Sequence, residues 1–442
     1  MATHTHFVRE GSISLNDLLS DNVISESDAY NIEHALALGP NRRSKPLHYV
    51  GLLETKKRQL FFLPKYCTEN DEHHAKTVIN VLRRVAKSQA IAQAIPDAHL
   101  FHSPSREGLL SKVELASFIL EDFYSFGPLT LKSTQHVFST DREPDWPKTF
   151  DRVEPIWTGK SWIHDHWVSR RKTSIDQHLI ADIHLFVVAE CHARYADLLG
   201  YPSITSAAPR TLSNTNRIDA ILRATMRRQY AARNISVLKA LRTWISGNNS
   251  PVKPVSYFGT CYFEYVWEDI CSFLMHDKKN DEYWSTIMPF PQWRRLEQAA
   301  HFKAEGRFRL DCLTELPSQN GVLLTDAKYY RPQFRNETAL GVPGMDSISK
   351  QVHYEEITLR SEKFLERYSQ DGVVLNAFIF PERCDTRFIW TSGWVTVDNM
   401  TKKPVVSISL NPLQALDRYL KRKPLTEVEL QIICDSTQLC RQ

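Results

Sequence analysis

Two carboxylates and one amine in a short stretch carry the clearest chemical signal in this 442-residue sequence. Arg309-Leu310-Asp311-Cys312-Leu313 precedes the polar turn Ser318-Gln319-Asn320-Gly321, and Val322-Leu323-Leu324-Thr325-Asp326-Ala327-Lys328-Tyr329-Tyr330 follows it. Aliphatic, β-branched and aromatic residues flank that turn, so both flanks are expected to be strands of a hairpin. Alternate side chains of a strand share a face, which puts Asp326 and Lys328 together. The hairpin returns Asp311 towards them. Mg²⁺ takes oxygen ligands, commonly one or two carboxylates with water and a substrate phosphate. Asp311 and Asp326 would supply the carboxylates and Ala327 a backbone carbonyl. Lys328 would hold the attacking water and offset charge developing on phosphate. Such a patch suits metal-assisted phosphodiester hydrolysis. Asp-Ala-Lys triplets are common, and a surface hairpin bearing one by chance is the bland alternative.

Two helices must then bring further groups to the patch. Phe263, Val266, Trp267, Ile270 and Leu274 recur at helical spacing, as in an amphipathic helix packed on a sheet. Glu264 falls on the edge of that apolar stripe and Glu268 somewhat further out, so Glu264 is the preferred third acid. A solvated flank of a core helix is its ordinary reading. Ser347 to Glu356 opens another helix, on which Gln351 and Tyr354 share a face. A glutamine amide can orient water or grip a phosphate oxygen, although such a pair is more often plain helix surface.

Taken in order, Glu264, Asp311, Asp326-Ala327-Lys328 and Gln351 resemble the PD-(D/E)xK nuclease superfamily in its RecB-like branch. The nearer resemblance is to the McrC-like nuclease subunit of McrBC-type restriction systems and to the LlaJI restriction endonuclease family. Phe263-Glu264, Leu310-Asp311, Thr325 to Tyr330 and Lys350-Gln351 carry it, over roughly the last 190 residues, an ordinary domain's length. Val50-Gly51-Leu52, Leu63-Pro64-Lys65-Tyr66 and Asp145-Trp146-Pro147 add weaker support. Leu310 stands where the motif often has proline, and two residues rather than three separate Gln351 from Tyr354.

The resemblance implies a metal-dependent deoxyribonuclease, of type II or McrBC-like kind, cutting double-stranded DNA with Mg²⁺ (Mn²⁺ as a substitute) in a phage-defence restriction system. Glu264, Asp311, Asp326 and Ala327 would sit at the metal, with Lys328 and Gln351 completing the catalytic set. It also implies a separate McrB-like AAA+ GTPase subunit, in keeping with the lack of any Gly-x-x-x-x-Gly-Lys-Ser/Thr loop. Self-association is compatible with this picture. Two other readings are an idle nuclease fold that binds DNA or assembles a complex, and a RecB-like exonuclease preferring DNA ends.

Composition sets the frame. A chain this long implies two or three domains, and 42% hydrophobic against 24% charged residues marks it as globular. A net charge of +4 does not by itself mark a nucleic-acid binder. No apolar run is long enough to cross a bilayer. The N-terminus lacks signal-peptide features, and the eight scattered cysteines suit reduced thiols, so a cytoplasmic protein without membrane contact is expected.

The expected class is α+β: an N-terminal module with a β-hairpin (1–130), a helical middle region (131–250) and a nuclease domain with a mixed, helix-flanked sheet (251–442). Ser25 or Ser27 is expected to cap a helix within a mostly helical 1–45, and a further helix should run from His73 to Ala90. Asp145 to Phe150 reads as a loop, Asn216 to Trp244 as one basic helix, and Trp293 to Lys303 as another. His164-Asp165-His166 lacks a third nearby ligand.

Overall fold

The hairpin forms with the expected register. Strands Cys312–Leu316 and Gly321–Ala327 pair antiparallel, Cys312 opposite Thr325. The computed structural model describes residues 5–36, 38, 42–55, 58–68, 72–87, 112–131, 133–173, 175–202, 215–248, 256–294, 301–303, 308–330, 332–336, 338–401 and 403–439. Gly321–Ala327 continues into a five-stranded sheet ordered Cys312–Leu316, Gly321–Ala327, Val373–Pro381, Val405–Leu410, Ile389–Val395. Its inner pairs are parallel and its two outer pairs antiparallel. A parallel pair needs a crossover connection, and the helix Met345–Arg360 lies between the first two parallel strands in the chain. That crossover packs on both parallel strands, and the Gln351 carbonyl accepts from Asn376 of Val373–Pro381. The fold is α+β, as expected.

The chain divides into two compact units, Ser105–Pro254 and Thr3–Pro104 with Val255–Gln442. In this division the break at Pro254/Val255 falls close to the expected boundary at 250, and the other break falls at Pro104/Ser105. The cause of the division is the strand Ser256–Thr260, which pairs with Val50–Glu54 in a four-stranded sheet with Gln59–Leu63 and Thr5–Arg9. Gly51 makes that pairing possible: it has φ +133°, and a Cβ there would meet the Phe258 carbonyl oxygen at 2.3 Å.

The 1–45 segment is less helical than expected, because Thr5–Arg9 joins this sheet parallel to Gln59–Leu63. Two short helices follow, Leu15–Ser20 and Glu26–Ala35, each starting with a Ser–Asp capping box. Ser25 rather than Ser27 is the cap. The helix Ala75–Lys87 lies within the span predicted from His73 to Ala90; residues 88–90 lie outside the described residues. The helix expected from Trp293 to Lys303 is not seen at either end of that span, where Gln292–Arg294 pairs antiparallel with His301–Lys303; residues 295–300 lie outside the described residues.

The unit Ser105–Pro254 is mainly helical, with helices Lys112–Phe126, Ile175–Leu199, Thr215–Met226 and Ala232–Asn248. The single basic helix expected from Asn216 to Trp244 is two helices, parted at Arg227 to Ala231. Asp145 to Phe150 is not a loop: Trp146–Arg152 is a short helix with proline in its first turn, where the missing N–H costs nothing. No helix among the described residues is long and apolar enough to cross a membrane. The seven described cysteines are free thiols.

Candidate active site

Asp311, Asp326 and Lys328 meet at the C-terminal end of the second strand. The Ala327 amide donates to Asp311 Oδ2 at 3.2 Å, which fastens the first strand's approach to the second. Lys328 Nζ lies 2.7 Å from Asp326 Oδ2, and the Lys328 amide donates to the Ile379 carbonyl at 2.8 Å, extending the parallel pairing one residue past the strand. Asp326 is buried, while Asp311 and Lys328 are partly exposed. The Asp326 strand shares its buried face with Phe378, its register partner on the neighbouring strand.

Electrostatics at this point are strained. Burial pushes the Asp311 carboxyl up to about 9; a hydrogen bond to Asp326 and that residue's charge push the same way, with Lys328 opposing. Two carboxylates this close cannot both ionise cheaply. Lys328 is raised overall, its burial outweighed by the Asp326 charge and hydrogen bond and by Asp311.

For the third acid the structure gives the two candidate glutamates different surroundings. Glu264 and Glu268 lie one turn apart on the helix Phe263–Leu274, whose Phe263, Val266, Trp267, Ile270 and Leu274 are buried as predicted. The acid that senses the aspartates is Glu268, raised to about 7 by burial and then by Asp326, with Lys279, Lys328 and Arg309 opposing. Glu264 is raised by burial and then by Glu10, and Lys65 and His48 lower it. It therefore joins a neighbouring cluster built from the N-terminal sheet. In that cluster Tyr329 donates to Glu10 Oε2 at 2.6 Å, the Lys65 ammonium sits 3.9 Å from the centre of the Tyr329 ring, and His48 lies 3.8 Å from Glu10.

Gln351 is 1% exposed, and its Oε1 has no hydrogen-bond partner. Its backbone carbonyl accepts from Asn376 at 2.8 Å, which holds the helix to the sheet. Tyr354 donates to the Arg309 carbonyl at 2.9 Å, and burial followed by the charges of Asp311 and Asp326 raises it to about 12. It thus buttresses the chain just before Asp311. Lys279 was not singled out by any pattern; its ammonium donates to the Asp311 carbonyl and lies 3.3 Å from Asp277. No spacing signal could have found it, because it follows the helix by only a loop. The His164-Asp165-His166 triplet carries a short-range His166–Asp165 pair and nothing more catalytic.

The donor set fits a hard divalent ion. Asp311 and Asp326 form a crowded pair of carboxyl groups that a cation would relieve. Among the described residues no three His, Cys, Asp or Glu side chains converge closely enough to hold an ion together.

Fold and site together define a class: an α+β protein organised around a buried carboxylate pair with an adjacent amine at a strand end. Its sequence matches the LlaJI restriction endonuclease family over residues 49–412, and the chain belongs to that family. It is 25% identical over 393 residues to the "Type II restriction enzyme BsuMI component YdjA" of Bacillus subtilis (strain 168), spanning 87% of this chain and 82% of that protein. Among solved structures, McrC in a Thermococcus gammatolerans assembly with McrB AAA+ hexamers aligns over 95% of this chain and 99% of its own, at 13% identity and a TM-score of 0.38. The T. gammatolerans McrBC complex aligns over 60% of this chain and 85% of its own, at 12% identity and a TM-score of 0.28. Both are too distant in shape to bear on function.

Proposed function

We propose that this chain is the nuclease component of a restriction system and hydrolyses phosphodiester bonds in double-stranded DNA with Mg²⁺. The observation that carries this is the Asp311–Asp326 pair, forced together in a buried setting with Lys328 at 2.7 Å from Asp326. Asp311, Asp326 and the Ala327 carbonyl would hold the metal, and Glu268 takes the third-acid role that helical periodicity gave to Glu264. When bound, the metal supplies Lewis-acid polarisation of the phosphate and a water of lowered pKa. Lys328 orients the attacking water and offers positive charge to the phosphate oxygens. Gln351, whose Oε1 has no partner, would accept a hydrogen bond from that water, and Tyr354 steadies the backbone before Asp311. Mn²⁺ would satisfy the same oxygen donors.

The relative's description as a component, and the lack of a P-loop in this sequence, favour a separate nucleotide-driven partner subunit of the McrB-like AAA+ type. The test is incubation of supercoiled plasmid with the purified chain and Mg²⁺, with and without that partner and GTP. Nicking or linearisation that disappears in Asp326→Ala supports the proposal. Degradation only of linear DNA would make it an exonuclease, and full activity of a folded Asp326→Ala protein would refute the assignment.

A further inference from the structure

Behind Asp311 lies an open cavity of about 910 Å³ lined by Asn80, Arg83, Arg84 and Arg422, with Ser272 and Asp277 on its inner wall. The Ser272 hydroxyl donates to the Asp311 carbonyl at 3.2 Å, so the cavity wall and the carboxylate site share one residue's backbone. Its acids are already engaged. Asp277 Oδ1 accepts from the Leu313 amide at 2.9 Å, its Oδ2 lies 3.3 Å from Lys279, and Asp269 accepts from the Tyr419 hydroxyl. Arg83, which also donates to Asn80 at 3.0 Å, Arg84 and Arg422 outnumber the two aspartates lining the space, and Lys279 offsets Asp277, so the charge balance facing it is positive.

Arg84 is fixed in place, donating to the Tyr419 and Leu420 carbonyls at 2.9 and 3.0 Å with its guanidinium 4.9 Å from the Tyr419 ring centre. Arg422 caps the helix Pro412–Lys421 with φ +54° and ψ +44°. Glycine or asparagine is the low-cost residue at such a cap, and arginine there is strained by its Cβ. The helix ends in a way that throws this guanidinium to the cavity rim.

We propose that the cavity is a phosphate subsite for the DNA strand crossing the Asp311–Asp326 site, with Arg83, Arg84 and Arg422 contacting a backbone phosphate beside the one being cut. This rests on the nuclease reading above. Planar guanidinium groups pair with phosphate oxygens through two parallel N–H donors, and such contacts fix register without reading sequence.

The test uses the full chain, a labelled DNA duplex and EDTA, with affinity measured across salt concentrations. Each lost phosphate contact removes about 0.9 from the slope of log affinity against log salt. The pair Arg83→Gln with Arg422→Asn, the latter suited to the left-handed cap, is expected to weaken binding about tenfold or more and lower the slope by about 2. Arg83→Lys with Arg422→Lys keeps the charge, should keep most of the slope, and separates charge loss from misfolding. Equal affinity and slope in a variant that melts like wild type would overturn the proposal. So would inorganic phosphate or GTP raising the melting temperature of wild type but not of the variant while the DNA slope stays unchanged, which would assign the cavity to a free phosphate ligand. A wild type that shows the slope effect but never cuts DNA would sink the nuclease reading and leave the subsite standing.

Discussion

Replacing the ionisable carboxyl of Asp311 by an amide should make the metal-free protein more stable while disabling its site. The Asp311 carboxyl is held at about 9 against an ordinary 3.8, through burial and the neighbouring Asp326. A folded-state pKa raised above the unfolded value gives stability that is complete below pH ~4 and lost as pH climbs towards ~9. At pH 7 the folded chain keeps a proton that the unfolded chain releases, which costs on the order of 4 kcal/mol. Asn at this position has the same shape, still accepts from the Ala327 amide and has no proton to release. Asp311→Asn should therefore melt near wild type at pH 4 and higher at pH 7 to 8 in EDTA, by roughly 5–10 °C for a gain of that order. Calorimetry or thermal melts across pH 4 to 9 would show the two curves diverging as pH rises. Mg²⁺ should raise the melting temperature of wild type only. An Asn variant that melts at or below wild type at pH 8 would refute the crowded-carboxylate account.

Three further outcomes follow from the same geometry. Mg²⁺ binding near pH 7 should release about one proton, because the ion displaces the proton held on Asp311; calorimetry in buffers of different ionisation enthalpy reads this directly, and a value of zero would contradict it. Lys328→Met should lower cleavage at least ~100-fold, as loss of a single charge-stabilising donor does elsewhere, with circular dichroism unchanged. Glu268→Gln should slow cleavage at least ~10-fold more than Glu264→Gln in a plasmid-nicking assay, since only Glu268 senses Asp326; the reverse order would restore Glu264 as third acid.

Local rules made the hairpin, the Asp-x-Lys spacing and the apolar stripe of Phe263–Leu274 legible, because period-2 and period-3.6 patterns are fixed by the backbone itself. The capping box at Ser25 and Asp28 was half visible for the same reason. Short elements were not: Thr5–Arg9 is only five residues long, and the alternation around Trp293 suited helix and strand alike until pairing decided it.

The residue types of the site were thus in the sequence, as was the meeting of Asp311, Asp326 and Lys328. Which glutamate joins them was not. Glu264 and Glu268 are one turn apart on the same helix, so periodicity gives both a path to the sheet and cannot say how far along the sheet the helix is docked. The fold decides that by pairing Ser256–Thr260 with Val50–Glu54, a contact across about two hundred residues of chain. Glu10, His48 and Lys65 from that sheet act on Glu264, whereas Asp326 acts on Glu268.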